Sequence, residues 1–326
     1  MTRAPAVDRL WSIGRGIALF LVPVLLGLLL LEPHPTLEVL WFGIIPILPA
    51  TFFLSPALWR GICPLATLNQ WGNRLGADRG RRPSVRAAAV LSLGGLFLFH
   101  LMVPARRFLF NLDETALVAT VGAVALLALV LGALFSARSA FCNGLCPVLP
   151  VEQIYGQSPL MDIARGRCTT CTVCTPRGCI DLAGWKVLPQ TMGPGRRSAA
   201  WLRTPFGIFA AALPGFIVGY NQLADGSLHD AGTVYATTAG WSLASYLAVA
   251  ILVMGIRLRA EPAMMLIAGT AGGLYYWFTG PAIAKAFSLP PAIGLAIQAL
   301  GLGLAGFWLV RRLSGQVMSS ERTRSR

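Results

Sequence analysis

The sequence predicts an all-α polytopic membrane protein with about eight transmembrane helices. Hydrophobic residues make up 55% of the 326 residues, charged residues make up only 12%, and the mean hydropathy is +0.65. Soluble domains carry about 25% charged residues. The apolar residues form continuous runs of about 20, the length that a helix needs to cross a bilayer, and they do not alternate as in a barrel. A soluble enzyme and a disordered nucleic-acid-binding chain are therefore excluded.

Eight runs meet this length, and each is predicted to be a helix. They are residues 13–31, 37–58, 87–104, 116–135, 204–221, 236–256, 262–279 and 291–310. The first run has no Ala-x-Ala cleavage site and is long for a signal peptide, so we interpret it as an uncleaved anchor. The chain is predicted to divide into a membrane half at 1–135, a connecting loop region at 136–203 and a four-span membrane half at 204–326.

The distribution of Lys and Arg predicts the orientation. With eight crossings, the loops on one side hold only Arg106, Arg107 and Lys285, and the rest of the 27 basic residues fall on the opposite side. Because cytoplasmic loops are enriched in Lys and Arg, both termini and the two long loops are predicted to be cytoplasmic. Topology thus explains the net charge of +14 without nucleic acid as a partner. Binding of acidic lipid or of an acidic protein is the alternative explanation.

An internal repeat organises the first half of the chain. Residues 61–70 (GICPLATLNQ) align without a gap with residues 144–153 (GLCPVLPVEQ), at an offset of 83 residues. The same offset places the second predicted span almost on the fourth. We therefore predict a tandem helical hairpin whose copies each end at the cytoplasmic face in a Gly-x-Cys-Pro turn, where Pro stops the helix. The second copy also has Cys142, whose counterpart in the first copy is Trp59.

Cysteines provide the candidate functional site. The seven cysteines lie in the predicted cytoplasmic segments or at their membrane edge, at Cys63, Cys142, Cys146, Cys168, Cys171, Cys174 and Cys179. The cytoplasm keeps thiols reduced, so a metal site is favoured over a disulfide framework. The last four cysteines form the pattern CTTCTVCTPRGC. Three thiolates at intervals of three residues can each reach a different iron of a cubane cluster, as in the bacterial ferredoxin pattern CxxCxxCxxxCP. Here four residues precede the last Cys, and Ile180 replaces Pro.

Zinc and haem are the alternatives to iron–sulfur binding by this loop. Structural zinc sites usually present two separated CxxC knuckles, which this loop lacks. Haem is disfavoured because there is no CxxCH motif and the histidines, His34, His100 and His229, are scattered. The sequence therefore favours a four-iron, four-sulfur (4Fe–4S) cluster. The basic residues that flank the loop either stabilise the cluster and a docked partner or belong to the positive-inside belt; they are Arg165, Arg167, Arg177 and Lys186.

At these cysteines the sequence resembles the membrane-bound polyferredoxin family, the 4Fe–4S accessory proteins associated with periplasmic nitrate reductase and nitrous oxide reductase. The pattern of this family is a pair of CxxxCP motifs followed by ferredoxin-type cysteine motifs. Cys142 and Cys146, with Pro147, match one CxxxCP element, and Cys63 matches the other copy with one Cys replaced by Trp59. The loop resembles a single altered ferredoxin motif, where family members commonly have two. The resemblance covers roughly residues 37–185.

The resemblance implies a protein of the bacterial inner membrane that moves electrons between the quinone pool and a redox enzyme or partner subunit. Its enzymatic role would then be that of a quinol-oxidising electron-transfer subunit. The alternatives are a maturation or metal-reducing factor for a respiratory metalloenzyme, and a structural membrane subunit with zinc or a vestigial cluster. A quinone site needs an aromatic wall and one or two polar groups. The candidates are Tyr220, Trp241, Tyr246, Tyr275, Tyr276 and Trp277.

The number of thiols limits the number of clusters. Two four-iron clusters need eight thiolates, and the chain has seven cysteines. We expect one cluster on Cys168, Cys171, Cys174 and a fourth Cys, of which Cys179 is the simplest. In two-cluster ferredoxins the last Cys of the motif ligates the other cluster, so Cys146 or Cys63 is the other choice for the fourth ligand. The thiols that remain near the membrane would then hold a second, three-Cys cluster or serve as packing groups.

Overall fold

The computed structural model describes residues 5–75, 81–136, 138–161 and 199–324, and within these ranges all regular structure is helical. The α-helices are α1 (Pro5–Leu31), α2 (Pro33–Glu38), α3 (Ile47–Leu54), α4 (Pro56–Ile62), α5 (Pro64–Leu75), α6 (Val85–Ala105), α7 (Glu114–Leu134), α8 (Leu149–Tyr155), α9 (Pro205–Asn221), α10 (Ala231–Gly255), α11 (Ala260–Ala286) and α12 (Pro291–Arg324). Single π-helical turns occur at Val39–Ile44, Arg106–Phe110 and Phe141–Leu145, and 3₁₀ turns occur at Ala199–Arg203 and Leu228–Asp230. The predicted all-α class is confirmed.

In the described ranges, six helical segments are long and apolar enough to cross a membrane. They are Arg9–Leu31, Pro33–Leu54, Val85–Phe110, Glu114–Leu134, Leu228–Gly255 and Pro291–Ser314. Their surfaces carry many exposed Leu, Ile, Val and Phe side chains, as expected where a helix contacts lipid. The chain is therefore a multi-pass membrane protein.

The two other predicted crossings coincide with α9 and α11. α9 has 17 residues, which span roughly 26 Å, a little less than the hydrocarbon core of about 30 Å. α11 has 27 residues, but many of them are buried against other helices. A helix that is packed on several sides contacts protein rather than lipid and does not need a uniformly apolar surface. The count of eight crossings stays a prediction.

The second predicted crossing, residues 37–58, is one helical segment only as far as Leu54. The segment consists of α2, the π-helical turn Val39–Ile44 and α3. The helix ends before Ser55, and α4 begins after it. Pro46 and Pro56 lack the N–H that would continue the helical hydrogen bonds. Ser55, which precedes Pro56, has φ −169° and ψ 120°, because a residue before proline is pushed out of the helical region. Proline thus interrupts a run that is apolar throughout.

The largest cluster of buried side chains lies around α9 and α11. The Phe53 ring of α3 lies 4.9 Å from the Tyr155 ring of α8 and 5.1 Å from the Trp308 ring of α12, measured between centroids. These three aromatic residues come from the three predicted regions of the chain, and each is almost fully buried. One core therefore joins the regions. The proposed boundaries between them, at 135/136 and 203/204, stay a prediction.

The long helices define two ends of the bundle. The cysteine end is the one where α6 begins at Val85 and α7 ends at Leu134. At the opposite end, the π-helical turn Arg106–Phe110 and a short loop connect α6 to α7. A separate apolar cluster, which includes Leu29 of α1 and Phe108, closes that opposite end.

Candidate functional site

Two Cys-Pro turns have nearly the same backbone conformation. Cys63 has φ −51° and ψ 120°, and Cys146 has φ −59° and ψ 120°. Each Cys precedes a Pro, which disfavours helical ψ in the residue before it. The preceding helical turn therefore ends at the Cys in both cases, and a new helix follows, α5 after Cys63 and α8 after Cys146.

Both turns lie inside the bundle rather than at the ends of α6 and α7. Gly144 packs against Gly95 of α6, which is roughly 15 Å along the helix from Val85. Cys142 packs in one cluster with Ala128 of α7, which is roughly 9 Å before the end of that helix. The turns are thus deeper than their position in the sequence suggests.

Glycine permits this close packing. A Cβ atom at Gly95 would lie 2.8 Å from the carbonyl oxygen of Gly144, which is too close for a carbon atom. On the other side of the site, a Cβ at Gly132 of α7 would overlap the Asn69 carbonyl of α5, and a Cβ at Gly72 of α5 would overlap the Leu129 carbonyl of α7. The Asn69 side chain donates to the Ala128 carbonyl at 2.8 Å. These contacts hold α5, and therefore the first turn, against α7.

The structure brings Cys63, Cys142 and Cys146 together. The three free thiols belong to one apolar cluster with Phe141, and each lies close enough to influence the ionisation of another. Burial raises the pKa of all three thiols, and the positive charge of Arg138 opposes this rise for Cys63 and Cys142. Thiols in such surroundings remain protonated at neutral pH unless a metal displaces the proton.

A buried ion pair joins the two turns. The Arg60 Nε donates to Glu152 Oε1 at 2.9 Å, and both side chains are 5% exposed. The Arg60 Nη2 also donates to the Cys142 carbonyl oxygen at 3.4 Å and to Asn143 Oδ1 at 3.3 Å. Arg138 in turn donates to the Arg60 carbonyl oxygen at 3.3 Å. Since Arg60 comes from the first turn and its partners come from the second, the pair fixes the turns relative to each other.

Among the described residues, no group of three or more His, Cys, Asp or Glu side chains has an arrangement that could hold a metal ion. The second, three-Cys cluster stays a prediction. Four predicted ligands lie outside the described residues, as do the basic residues that flank them; these ligands are Cys168, Cys171, Cys174 and Cys179.

The residues on both sides of the segment 162–198 contact the same core. The backbone N–H of Leu160 donates to the Phe53 carbonyl at 2.9 Å, and that of Met161 donates to the Leu54 carbonyl at 2.8 Å. Leu160 and Ala199 both pack against the central cluster. Trp308 Nε1 donates to the Ser158 carbonyl at 2.7 Å. Leu160 and Ala199, on the two sides of the segment 162–198, therefore both pack against the central core.

The six predicted aromatic residues do not all lie together, but Tyr275 lies near both Tyr220 and Tyr276. The Tyr246 hydroxyl donates to the Leu202 carbonyl near the start of α9, whereas the Tyr276 hydroxyl donates to the Pro46 carbonyl. Tyr220 lies in the last turn of α9, at the opposite end of the bundle. Trp241 and Trp277 are 43% and 54% exposed, as expected for residues that contact lipid. Tyr275 packs beside Tyr276.

His100 is held by backbone and aromatic contacts. Its Nδ1 lies 2.9 Å from the Leu96 carbonyl oxygen, and its ring meets those of Phe99, Phe209 and Phe216 edge-to-face at 5.4–5.6 Å. These contacts give His100 a packing role between α6 and α9.

Sequence reasoning identified the two turns but missed the ion pair between them. Arg60 and Asn143 occupy equivalent positions at the offset of 83 residues, and Glu152 is equivalent to Asn69. The signal that could have revealed the pair is Glu152, an acidic residue next to an apolar Cys-Pro turn in a chain with only 13 acidic residues. No protein-family model matches the chain, and no curated protein or solved structure is significantly similar to it.

Proposed function

We propose that this protein is a membrane-integral iron–sulfur electron-transfer protein that carries one 4Fe–4S cluster on Cys168, Cys171, Cys174 and Cys179. The observation that carries the proposal is the spacing of these four cysteines, three of them at intervals of three residues. Such a cluster supplies one-electron chemistry when it is bound. The chain's own residues would hold the cluster, anchor its loop and exclude water from its membrane side.

The chain that precedes the cysteine segment is held by two helices. α12 binds the chain just before the loop, because Trp308 and Arg312 both donate to the Ser158 carbonyl, at 2.7 and 2.8 Å. α3 binds the next residues through the backbone hydrogen bonds to Phe53 and Leu54. A redox group needs a reproducible distance to its donor and acceptor, and rigid elements provide it better than loops do.

The surroundings of Trp59 favour one cluster over two. Its counterpart Cys142 lies in the thiol cluster, whereas Trp59 packs against the central apolar cluster around α9 and α11. The first turn therefore contributes one thiol, Cys63, and the second contributes two. Cys146 or Cys63 is the alternative fourth ligand to Cys179 in this proposal.

Two further features belong to the proposal. The similar backbone angles of Cys63 and Cys146, and the direct contact between the equivalent residues Arg60 and Asn143, support a tandem repeat whose copies face each other across an approximate two-fold axis. The concentration of basic residues on one side of eight crossings supports a cytoplasmic cysteine end in a bacterial inner membrane.

Quinol is the proposed electron donor, and a redox partner protein is the proposed acceptor. To test this, protein purified without oxygen and placed in lipid nanodiscs is mixed with a short-chain quinol, and the visible absorption of the iron–sulfur cluster is recorded. We expect quinol to bleach this absorption in the wild type, and Cys171→Ser to lack the absorption altogether. The matched control Cys63→Ser should retain it.

Three outcomes would change the proposal. A wild-type protein without visible absorption would contradict iron–sulfur binding. Bleaching by dithionite but not by quinol would contradict quinol as the donor and leave the cluster in place. Loss of absorption in Cys63→Ser as well as in Cys171→Ser would assign the fourth ligand to Cys63 rather than Cys179.

A further inference from the structure

Arg106 is a cation within a candidate membrane-spanning segment. It follows α6 directly, inside the segment Val85–Phe110, at the opposite end of the bundle from the cysteine turns. Its side chain is half-buried. Charged residues at membrane depth are costly, and they are usually paired or used to bind a ligand. The partners of Arg106 therefore decide what it does.

The protein partners of Arg106 are uncharged. Its Nη1 donates to the Tyr220 hydroxyl at 3.1 Å, and its guanidinium lies over the rings of Trp41 and Phe42, at 4.8 and 5.0 Å from their centroids. Such rings attract a cation but do not neutralise it.

The nearby carboxylates have other partners. Asp225 accepts hydrogen bonds from Arg107 and from Asn111, each at 2.8 Å. Glu38 lies 3.8 Å from His34. Within the part of the chain that the structure describes, no carboxylate lies within ion-pair distance of the Arg106 guanidinium. Its positive charge is thus not compensated there.

The buried polar atoms without a hydrogen-bond partner near Arg106 include one acceptor, Asn111 Oδ1, and two donors. Arg106 Nε and Trp41 Nε1 are both buried and have no hydrogen-bond partner. Both atoms carry N–H groups and cannot accept a hydrogen bond. A ligand of the Arg106 guanidinium must supply acceptor oxygens, because the group has only N–H donors, and it must supply negative charge to compensate the guanidinium. A neutral carbonyl compound would meet the first requirement but not the second.

We propose that Arg106, with Trp41 and Tyr220, binds the phosphate of an anionic phospholipid from the adjacent leaflet. The guanidinium fork matches phosphate geometry, and Trp side chains favour the headgroup level of a bilayer. Apolar side chains on the same two segments face outward, since Val39 is 44% exposed and Leu101 is 43% exposed. These side chains provide a surface for the acyl chains of a lipid whose headgroup is held by Arg106.

Native mass spectrometry of the full chain in detergent tests this site. The protein is equilibrated with equal amounts of phosphatidylglycerol and phosphatidylcholine, and the retained lipid is counted. We expect one preferentially retained phosphatidylglycerol in the wild type and roughly tenfold weaker retention in Arg106→Gln, because a charge-assisted pair is lost. Trp41→Phe, which keeps a ring but loses the N–H, should weaken retention less.

The control variant is Lys285→Gln, which removes an exposed basic side chain near the end of α11 and should retain the lipid like the wild type. Equal phosphatidylglycerol retention by the wild type, Arg106→Gln and Trp41→Phe would overturn the proposal. Equal retention of the two lipids by the wild type would also overturn it. Displacement of the lipid by millimolar inorganic phosphate would overturn the lipid assignment in favour of a free anion. None of these outcomes depends on the iron–sulfur cluster.

Discussion

Arg60 and Glu152 are charged residues in buried positions, where a charge lowers the stability of the fold unless it is paired. Removing each ion from water costs several kcal/mol, and their attraction offsets this cost only when the geometry is good and the other hydrogen bonds are made. Here the 2.9 Å contact is supplemented by bonds from Arg60 to the Cys142 carbonyl and to Asn143. The pair therefore restricts the two turns to one relative arrangement, which fixes the distances among the three thiols.

Removing one member of the pair should be strongly destabilising. Glu152→Gln keeps the shape of the side chain but removes the carboxylate that Arg60 contacts, so we expect the free energy of unfolding to fall by about 3–5 kcal/mol. Unfolding in mixed detergent micelles, followed by circular dichroism, measures this loss.

The matched control breaks a more exposed pair. Asp225→Asn removes the partner of Arg107, and because the Asp225 side chain is 46% exposed, we expect a loss below about 1 kcal/mol. Losses of equal size in the two variants would contradict the structural role of the buried pair.

For single residues, the sequence predicted the backbone turns at the cysteines better than the contacts around those turns. The shared GxCP pattern identified both turns, because a Pro after Cys constrains the backbone locally. The partner of Arg60 lies 92 residues away, and a local pattern carries no information about such a contact. The position of the second turn inside the bundle was also missed, because it depends on Gly95 of α6, which approaches the turn backbone.

Helix boundaries were predicted well where capping residues coincide with the ends of apolar runs. The predicted helix 87–104 is α6 (Val85–Ala105), where the Ser84 side chain accepts from the Ala87 N–H. The predicted helix 116–135 is α7 (Glu114–Leu134), where Asp113 accepts from the Ala116 N–H. The second predicted crossing, 37–58, extends beyond the helical segment, which ends at Leu54 because Ser55 precedes Pro56.

The contact between α5 and α7 depends on glycine. A methyl group at Gly132 would overlap the Asn69 carbonyl, so Gly132→Ala should separate the helices. We expect a loss of about 1–3 kcal/mol in the free energy of unfolding, the typical cost of overpacking, measured in the same micelle assay.

Gly122→Ala on the same helix is the control for this change. A Cβ at Gly122 would meet nothing within 4 Å, so the variant should be as stable as the wild type or slightly more stable, since Ala favours helix more than Gly does. Destabilisation of both variants by the same amount would contradict a specific role for the contact between Gly132 and α5.

One core connects the last helix with the segment that precedes the cysteine loop. The Trp308 ring is fully buried against Phe53, and its Nε1 donates to the Ser158 carbonyl. The general class of the molecule was predictable because a bilayer permits few architectures. The sequence did not predict that α12 packs against α3 and against the residues before the loop. A hydropathy pattern does not indicate which apolar faces contact each other.

Trp308→Ala should therefore destabilise the whole molecule. The cavity and the lost hydrogen bond together predict a loss of about 3–5 kcal/mol, together with faster proteolysis near residues 158–161. The control Trp277→Ala removes a side chain that is 54% exposed and should change neither quantity much. If both variants were equally stable and equally resistant to protease, α12 would not anchor the start of the loop.

The measurement that tests the central claim most directly is a count of iron and acid-labile sulfide in anaerobically purified wild-type protein, together with electron paramagnetic resonance of the reduced sample. The account predicts roughly four iron and four sulfide ions per chain and a cluster signal that appears on reduction. A protein with no sulfide and one zinc ion per chain, or with metal-free thiols at Cys168, Cys171 and Cys174, would contradict it.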